Sequence, residues 1–345
     1  MKPDRYDLIA IGGGTAGLVS AAGATYLGAK AALVEVDRLG GDCLWTGCVP
    51  SKALIASARA AAVRRDASAL GLAGVSPGPD WIAVRDSMRA ARDRVAVHDD
   101  PARFRRMGVD VIAGAASFEG AKTLRVGDRL LTAAHVVIAT GAAPSIPDIP
   151  GLAEAGFETH HTVFDLAVAP RSVAVIGGGP IGIEFAQLFA RLGATVTVFE
   201  AAPSILLRED PDAVRVVADA LAGDGVTIET GSVVESLSRT AGGRAVRWRR
   251  GDEPARDTMV DVVLVASGRA PRISALGLDR AGIATDRGVK VDSLLRTSVP
   301  GVWAAGDCVG SLQFTHVADY HAKLVLRNAL TPARGRVDLS RVPRV

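Results

Sequence analysis

The chain has 345 residues, 48% of them apolar and 22% charged, with a formal net charge of +3. Those proportions suit a soluble globular protein of two or three domains. With scattered arginines and only 4% aromatic residues, no nucleic-acid surface is expected, nor does any apolar run reach membrane-spanning length.

Three cysteines in a chain this long do not make a secreted disulfide framework, and no leader is expected ahead of the first predicted strand. The cytoplasm is the expected compartment.

In chain order, residues 6–11 read as a strand, 14–27 as a helix and 31–35 as a second strand, one βαβ unit. A second helix is predicted from near Pro50, since proline lacks an N–H that the first turn would leave unpaired anyway. It runs to about Asp66 and is ended by GLAGVSPGP. An amphipathic helix is predicted over 81–107. The runs VDVIAGAASF, AKTLRVGD and RLLTAAHVVIAT read as a meander rejoining a parallel sheet at 136–139. Thr140 and Gly141 close that strand, and APSIPDIPGL is the most linker-like stretch. A second nucleotide-type unit follows over about 152–267, then short strands and a last helix from near Thr315. The alternation predicts an α/β fold, parallel sheets with helices on both faces.

One device is written twice, 165 residues apart. IAIGGGTAGLVSAAGATYLGAKAALVE (9–35) and AVIGGGPIGIEFAQLFARLGATVTVFE (174–200) each set G-x-G-x-x-G between strand and helix. Gly12 to Glu35 and Gly177 to Glu200 both span 23 positions. The first glycine (Gly12, Gly177) permits the bend, and the second (Gly14, Gly179) lets backbone approach a pyrophosphate. The third (Gly17, Gly182) lets the helix pack on the strand. The helix N-terminus favours the anion, while Glu35 or Glu200 accepts from a ribose hydroxyl. Glu200 repels a 2′-phosphate and so favours NADH over NADPH, although Arg208 follows eight residues on. Two dinucleotide sites on duplicated domains are expected.

After the first copy comes GGDCLWTGCVPSKAL, with four residues between Cys43 and Cys48. Such a short ring can close as a disulfide and reopen with little backbone movement. Cys48 stands at a predicted helix mouth, where the dipole and unpaired N–H groups favour a thiolate. The surrounding Gly, Asp and Pro are turn chemistry, which points to redox use rather than core packing. Lys52 shares the helix face of Cys48. Glu184 replaces Val19 of the first copy, among Ile181, Ile183, Phe185 and Ala186. A carboxylate there needs a partner, and Lys52 is the natural one.

Together GGDCLWTGCVPSKAL, VVIATGAAP, IGGGPIGIEFA, SGRAP and GVWAAGDCVG make the chain resemble the pyridine nucleotide–disulfide oxidoreductases. The likeness, to the dihydrolipoamide dehydrogenase and mercuric reductase branch, covers nearly the whole chain. It implies a glutathione-reductase-type fold: an FAD-binding domain at 1–149 and 268–345, and an NAD(P)-binding domain at 150–267. The family's C-terminal interface domain is expected to be absent. FAD is implied on Gly12, Gly14, Gly17 and Glu35, with Gly41, Asp42, Lys52, Ala116, Thr140, Gly141, Gly306, Asp307 and Thr315 around it. Asp307 would bond the ribitol chain. NAD(H), ahead of NADP(H), is implied at Gly177, Gly179, Gly182, Glu184, Glu200, Val233, Gly268 and Arg269. Hydride would pass from nicotinamide to flavin N5 and on to a Cys43–Cys48 disulfide. Cys48 would face the flavin and Cys43 attack the substrate, with Lys52 and Glu184 as the other catalytic residues.

Two departures stand out against that pattern. Asp42 replaces the usual Thr, adding negative charge near the FAD pyrophosphate, and no H-P-x-x-x-E base motif is present. Without that base, turnover of a disulfide is expected to be poor. Of the last-helix histidines, His316 is expected to pack by the flavin, and Cys308 to be structural. The implied acceptor is a small-molecule disulfide of the lipoamide type, or Hg(II), with no resident metal. The family forms homodimers, and the oligomeric state of this chain stays open. Two other classes also stay open: a non-catalytic FAD/NAD-binding redox sensor, and a flavin NADH oxidase or ferredoxin-reductase-like enzyme that needs no thiol pair.

Overall fold

In the computed structural model, residues 3–67, 71 and 78–343 are described; residues 72–77 of the predicted Gly/Pro break lie outside them. The chain opens with β1 (Asp4–Ile11), α1 (Thr15–Tyr26), β2 (Ala31–Glu35), α2 (Gly41–Trp45), α3 (Cys48–Asp66) and α4 (Trp81–Ala96). It continues through α5 (Pro101–Arg106), β3 (Asp110–Ala113), β4 (Ala116–Gly120), β5 (Thr123–Val126), β6 (Arg129–Ile138) and β7 (Ala142–Pro144). Next come α6 (Leu152–Ala155), β8 (Ser172–Ile176), α7 (Pro180–Arg191), β9 (Thr195–Glu200), α8 (Pro211–Gly223) and β10 (Val226–Thr230). The last elements are β11 (Ser232–Thr240), β12 (Gly243–Arg250), β13 (Arg256–Val260), β14 (Val262–Val265), β15 (Arg269–Pro271), β16 (Val302–Ala304) and α9 (Thr315–Leu330).

Two compact units form. The first takes Met1–Leu44, Val95–Ala143 and Arg269–Val345. Its sheet runs β3-β2-β1-β6-β5-β4, with β16 also on β6. β1 lies parallel to both β2 and β6, and α1 carries the chain back between β1 and β2. Side-chain alternation divides the core between the sheet's two faces: Ile9 and Ile11 join Phe118, Leu131 and Ile138 on one. Leu8 and Ala10 join Leu33, Trp303 and Val325 on the other.

The second unit takes Trp45–Arg94 and Pro144–Gly268. Its parallel sheet β10-β9-β8-β14 is accompanied by an antiparallel sheet β11-β12-β13. Val173 and Val175 face one core with Phe185 and Phe189; Ala174 and Ile176 face the other with Phe199 and Trp248. Strands buried on both faces read as unbroken apolar runs, as β14 (VVLV) does.

Three expectations change. The predicted helix over 81–107 is two helices. Pro101 starts α5, and the Asp100 side chain accepts from Ala102 N, so the chain resets before the proline. β3 is not part of the meander but pairs parallel with β2, from Ala32–Asp110 to Glu35–Ala113. The meander is β4-β5-β6, and β6 joins β1 from Leu131, earlier than position 136. Finally, α3 and most of α4 pack with the second clamp. Leu54, Ala58, Trp81 and Met88 share a core with Ile183 and Phe189, although the expected division gave residues 1–149 to the first domain.

Candidate active site: two nucleotide clamps and a thiol helix

Gly12 has φ +107° and Gly177 φ +112°, a left-handed bend that glycine alone adopts readily. Each turn is sealed against a neighbouring strand end. A Cβ on Gly12 would stand 2.4 Å from Ala139 O, and one on Gly177 would stand 2.6 Å from Ala266 O. The third glycines are tighter still: a Cβ on Gly17 would lie 1.7 Å from Gly12 O, and on Gly182 2.0 Å from Gly177 O. The second glycines differ. A Cβ on Gly179 would meet nothing within 4 Å, and on Gly14 only Gly41 Cα at 3.9 Å. Nothing in the fold crowds these positions. Open space there, at the N-terminus of a helix with no side-chain cap, fits an anionic ligand resting on backbone N–H groups. The chain's residues therefore fit a dinucleotide at each clamp.

The closing glutamates are held by backbone. Glu35 Oε2 accepts from Gly13 N, and Oε1 from Asp37 N at 2.8 Å. Glu200 repeats this with Gly178 N at 2.7 Å and Ala202 N at 2.7 Å. Sequence reasoning gave these carboxylates to ribose and passed over Gly13 and Gly178. The signal was the unbroken G-G-G in both copies: the middle glycine supplies an N–H and leaves room for the carboxylate, to which its own Cβ would come within 3.2 Å. Each carboxylate oxygen keeps a second lone pair for a hydroxyl.

Cys43 lies half-buried in α2, and Cys48, exposed, is the first residue of α3, two residues before Pro50. One turn further, Lys52 Nζ donates to Glu184 Oε1 at 2.7 Å and Oε2 at 2.9 Å. The predicted partnership thus exists. Glu184 is less enclosed than its apolar neighbours suggested, with 39% of its side chain accessible.

In the first unit Arg269 bonds Asp42 and lies 3.2 Å from Asp307 Oδ2. Arg272 lies 3.7 Å from Asp42 Oδ1. Arg269, expected beside the pyridine nucleotide, thus sits with two residues expected around FAD, because β15 belongs to the first unit's contacts. Asp42 follows Gly41, whose Cβ would stand 2.7 Å from Gly14 Cα; Gly306, before Asp307, abuts Ala16 and Ala318. Both carboxylates therefore flank the first turn of α1. Thr140 Oγ1 donates to Arg272 O at 2.6 Å, and Arg272 N to Gly141 O. Gly268, with φ +130°, accepts from Ser145 N. Ala116 is buried in the sheet core opposite Val126, Val233 is exposed on β11, and Thr315 begins α9 at the surface.

The two histidines of α9 sit in different surroundings. His316 is exposed, stacked on Phe314, with Nε2 3.0 Å from Pro343 O. His321, buried on the same helix, has Nδ1 accepting from Gly306 N at 3.3 Å, so it supports the turn carrying Asp307. Burial pushes its pKa down to about 4. Cys308 is buried as expected: its Sγ lies 3.2 Å from Ile138 O and 3.3 Å from Ala305 O, which share its one S–H, and burial pushes the thiol up to about 12.

Residues 6–322 match the family model described as pyridine nucleotide-disulphide oxidoreductase. The chain belongs to that family. It is 34% identical to mercuric reductase of Streptomyces lividans, covering 99% of this chain and 73% of that protein. Dihydrolipoyl dehydrogenase of Bacillus subtilis is 32% identical, with 98% and 74% covered. Among solved structures, the Cu(II) complex of the HOCl-induced flavoprotein disulfide reductase RclA from Escherichia coli superposes with a TM-score of 0.84 at 30% identity. That match covers 96% of this chain and 72% of RclA. Against other mercuric reductases the chain spans as little as 54% of their length. The glutathione-reductase-type fold follows from this membership, and no described helix is long and apolar enough to cross a membrane.

Proposed function

We propose that this chain is an FAD-dependent, NADH-preferring reductase that delivers electrons to the Cys43–Cys48 couple and from there to a small disulfide or a metal ion. The observation that carries this is the Lys52–Glu184 ion pair. It ties the helix that begins at Cys48 to α7, the helix of the second clamp, and Leu54 and Ala58 of the one share a core with Ile183 and Phe185 of the other. Bound on the first clamp, FAD would supply hydride acceptance and two-electron transfer. Gly12, Gly14, Gly17 and Glu35 would hold its adenosine diphosphate portion. Glu200, already anchored by two backbone N–H groups, would accept from the free 2′-hydroxyl of NADH and disfavour a 2′-phosphate. The start of α3 would stabilise the Cys48 thiolate, and Lys52 would place a positive charge one turn away.

Names of relatives support both acceptor classes: mercuric reductases and a reductase solved with Cu(II) on one side, dihydrolipoyl and glutathione-type enzymes on the other. A cytoplasmic location fits this chemistry. The test is a titration. Purified protein is expected to be yellow, and NADH or dithiothreitol to produce a long-wavelength thiolate–flavin band. Cys48→Ser abolishes that band and Cys43→Ser retains it. Colourless protein that refuses added FAD overturns the proposal; a band indifferent to Cys48→Ser overturns the thiol assignment. NADH oxidation unaltered in the double Cys→Ser variant would instead favour the oxidase class.

A further inference from the structure

We propose that Asp42 sets the affinity of the first clamp for its flavin by holding Arg269 back from the dinucleotide's pyrophosphate. This rests on FAD occupying that clamp. Arg269 bonds Asp42 and reaches Asp307, and Arg272 approaches Asp42 from the other side. The side chains of Arg269, Asp42 and Asp307 are 17%, 23% and 15% accessible, so their charges are only partly screened. Two carboxylates and two guanidinium groups cancel. The cluster borders the first turn of α1 through Gly41 against Gly14 and Gly306 against Ala16. That is the helix end left uncapped for an anion.

Buried Arg269 Nε has no hydrogen-bond partner among the described residues. The guanidinium thus carries a donor that its two carboxylates do not use, beside a site built for a doubly charged group. In that setting Asp42 acts twice against the ligand. Its charge opposes the pyrophosphate directly, and its bond engages Arg269, a cation that also reaches Asp307. A neutral side chain at position 42 leaves Arg269 with Asp307 alone and the cluster one unit more positive.

The experiment strips the 345-residue chain of flavin and titrates FAD back, reading the quench of flavin fluorescence. Asp42→Asn is expected to tighten FAD binding by roughly tenfold, the scale of removing one incompletely screened charge. Asp42→Thr, which puts a neutral hydroxyl in place of the carboxylate, should do the same and serves if the asparagine variant folds poorly, as judged by circular dichroism. Arg269→Gln should weaken binding, and in its background Asp42→Asn should lose most of its gain. Unchanged or weaker FAD binding in both Asp42 variants overturns the inference, as does a full gain without Arg269. Wild-type protein that binds no FAD at any concentration is a different result: it refutes flavin at the first clamp itself.

Discussion

Lys52 and Glu184, 132 positions apart in the chain, meet through both carboxylate oxygens at 2.7 and 2.9 Å. Both side chains are more than one-third accessible, so the pair contributes only about 0–1 kcal/mol to stability. Its weight should fall on chemistry. Lys52→Met and Glu184→Gln are expected to move the melting temperature by at most a few degrees, while flavin reduction by NADH slows about tenfold or more. Stopped-flow absorbance checks the rate. Normal reduction with a collapsed melting temperature would make the pair structural instead.

The glycines of one motif should separate folding from binding. Gly17→Ala drives a methyl into Gly12 O and should destabilise the first unit by about 3 kcal/mol. Gly14→Ala and Gly179→Ala meet open space, so the fold should survive while FAD or NADH affinity falls. Urea melts beside ligand titrations measure both. Equal stability losses at all three positions would contradict the assigned difference.

Glu200 is anchored by the backbone N–H groups of Gly178 and Ala202. Glu200→Ala should raise KM for NADH about tenfold and narrow the preference over NADPH. Steady-state kinetics with both nucleotides decides this, and an unaltered KM ratio would remove Glu200 from nucleotide choice.

His321 gives a pH dependence with a defined sign. Its pKa lies near 4 in the fold, against about 6.5 unfolded. Between these values the unfolded chain holds the extra proton, so this contribution is full above the upper value and is lost as pH falls toward the lower. The loss amounts to about 3 kcal/mol at most. His321→Asn, which offers an acceptor to Gly306 N without titrating, should flatten the change in stability between pH 4 and 7. Denaturant melts across that range read it directly, and an equally steep profile in the variant would clear His321 of the effect.

Much was readable in one dimension because the information was local and steric. Turns at Gly12 and Gly177 need φ near +110°, and only glycine tolerates the crowding at Gly17 and Gly182. A fixed spacing to Glu35 and Glu200 carries the same plan twice. Continuous apolar runs located β1, β2 and β8, and Cys48 announced itself by Pro50 and the start of a helix. Where helices end was less legible: the Asp100–Pro101 reset is a cap written in residues equally at home in a loop.

Other features arose only when distant segments met. Arg269 and Asp42 are 227 positions apart, and nothing in SGRAP says that its arginine turns toward Asp42 and Asp307. An arginine in sequence is a charge without a partner, and burial against two carboxylates decides which one it neutralises. Likewise His316 and His321 stand on one helix, yet packing chose the second to brace Gly306 and left the first at the surface. Spacing determined the two Gly-rich turns, their closing glutamates and the Cys43–Cys48 interval. Tertiary packing determined which charges face each other there, because Coulomb interactions depend on separation in space and on how much water remains between the groups.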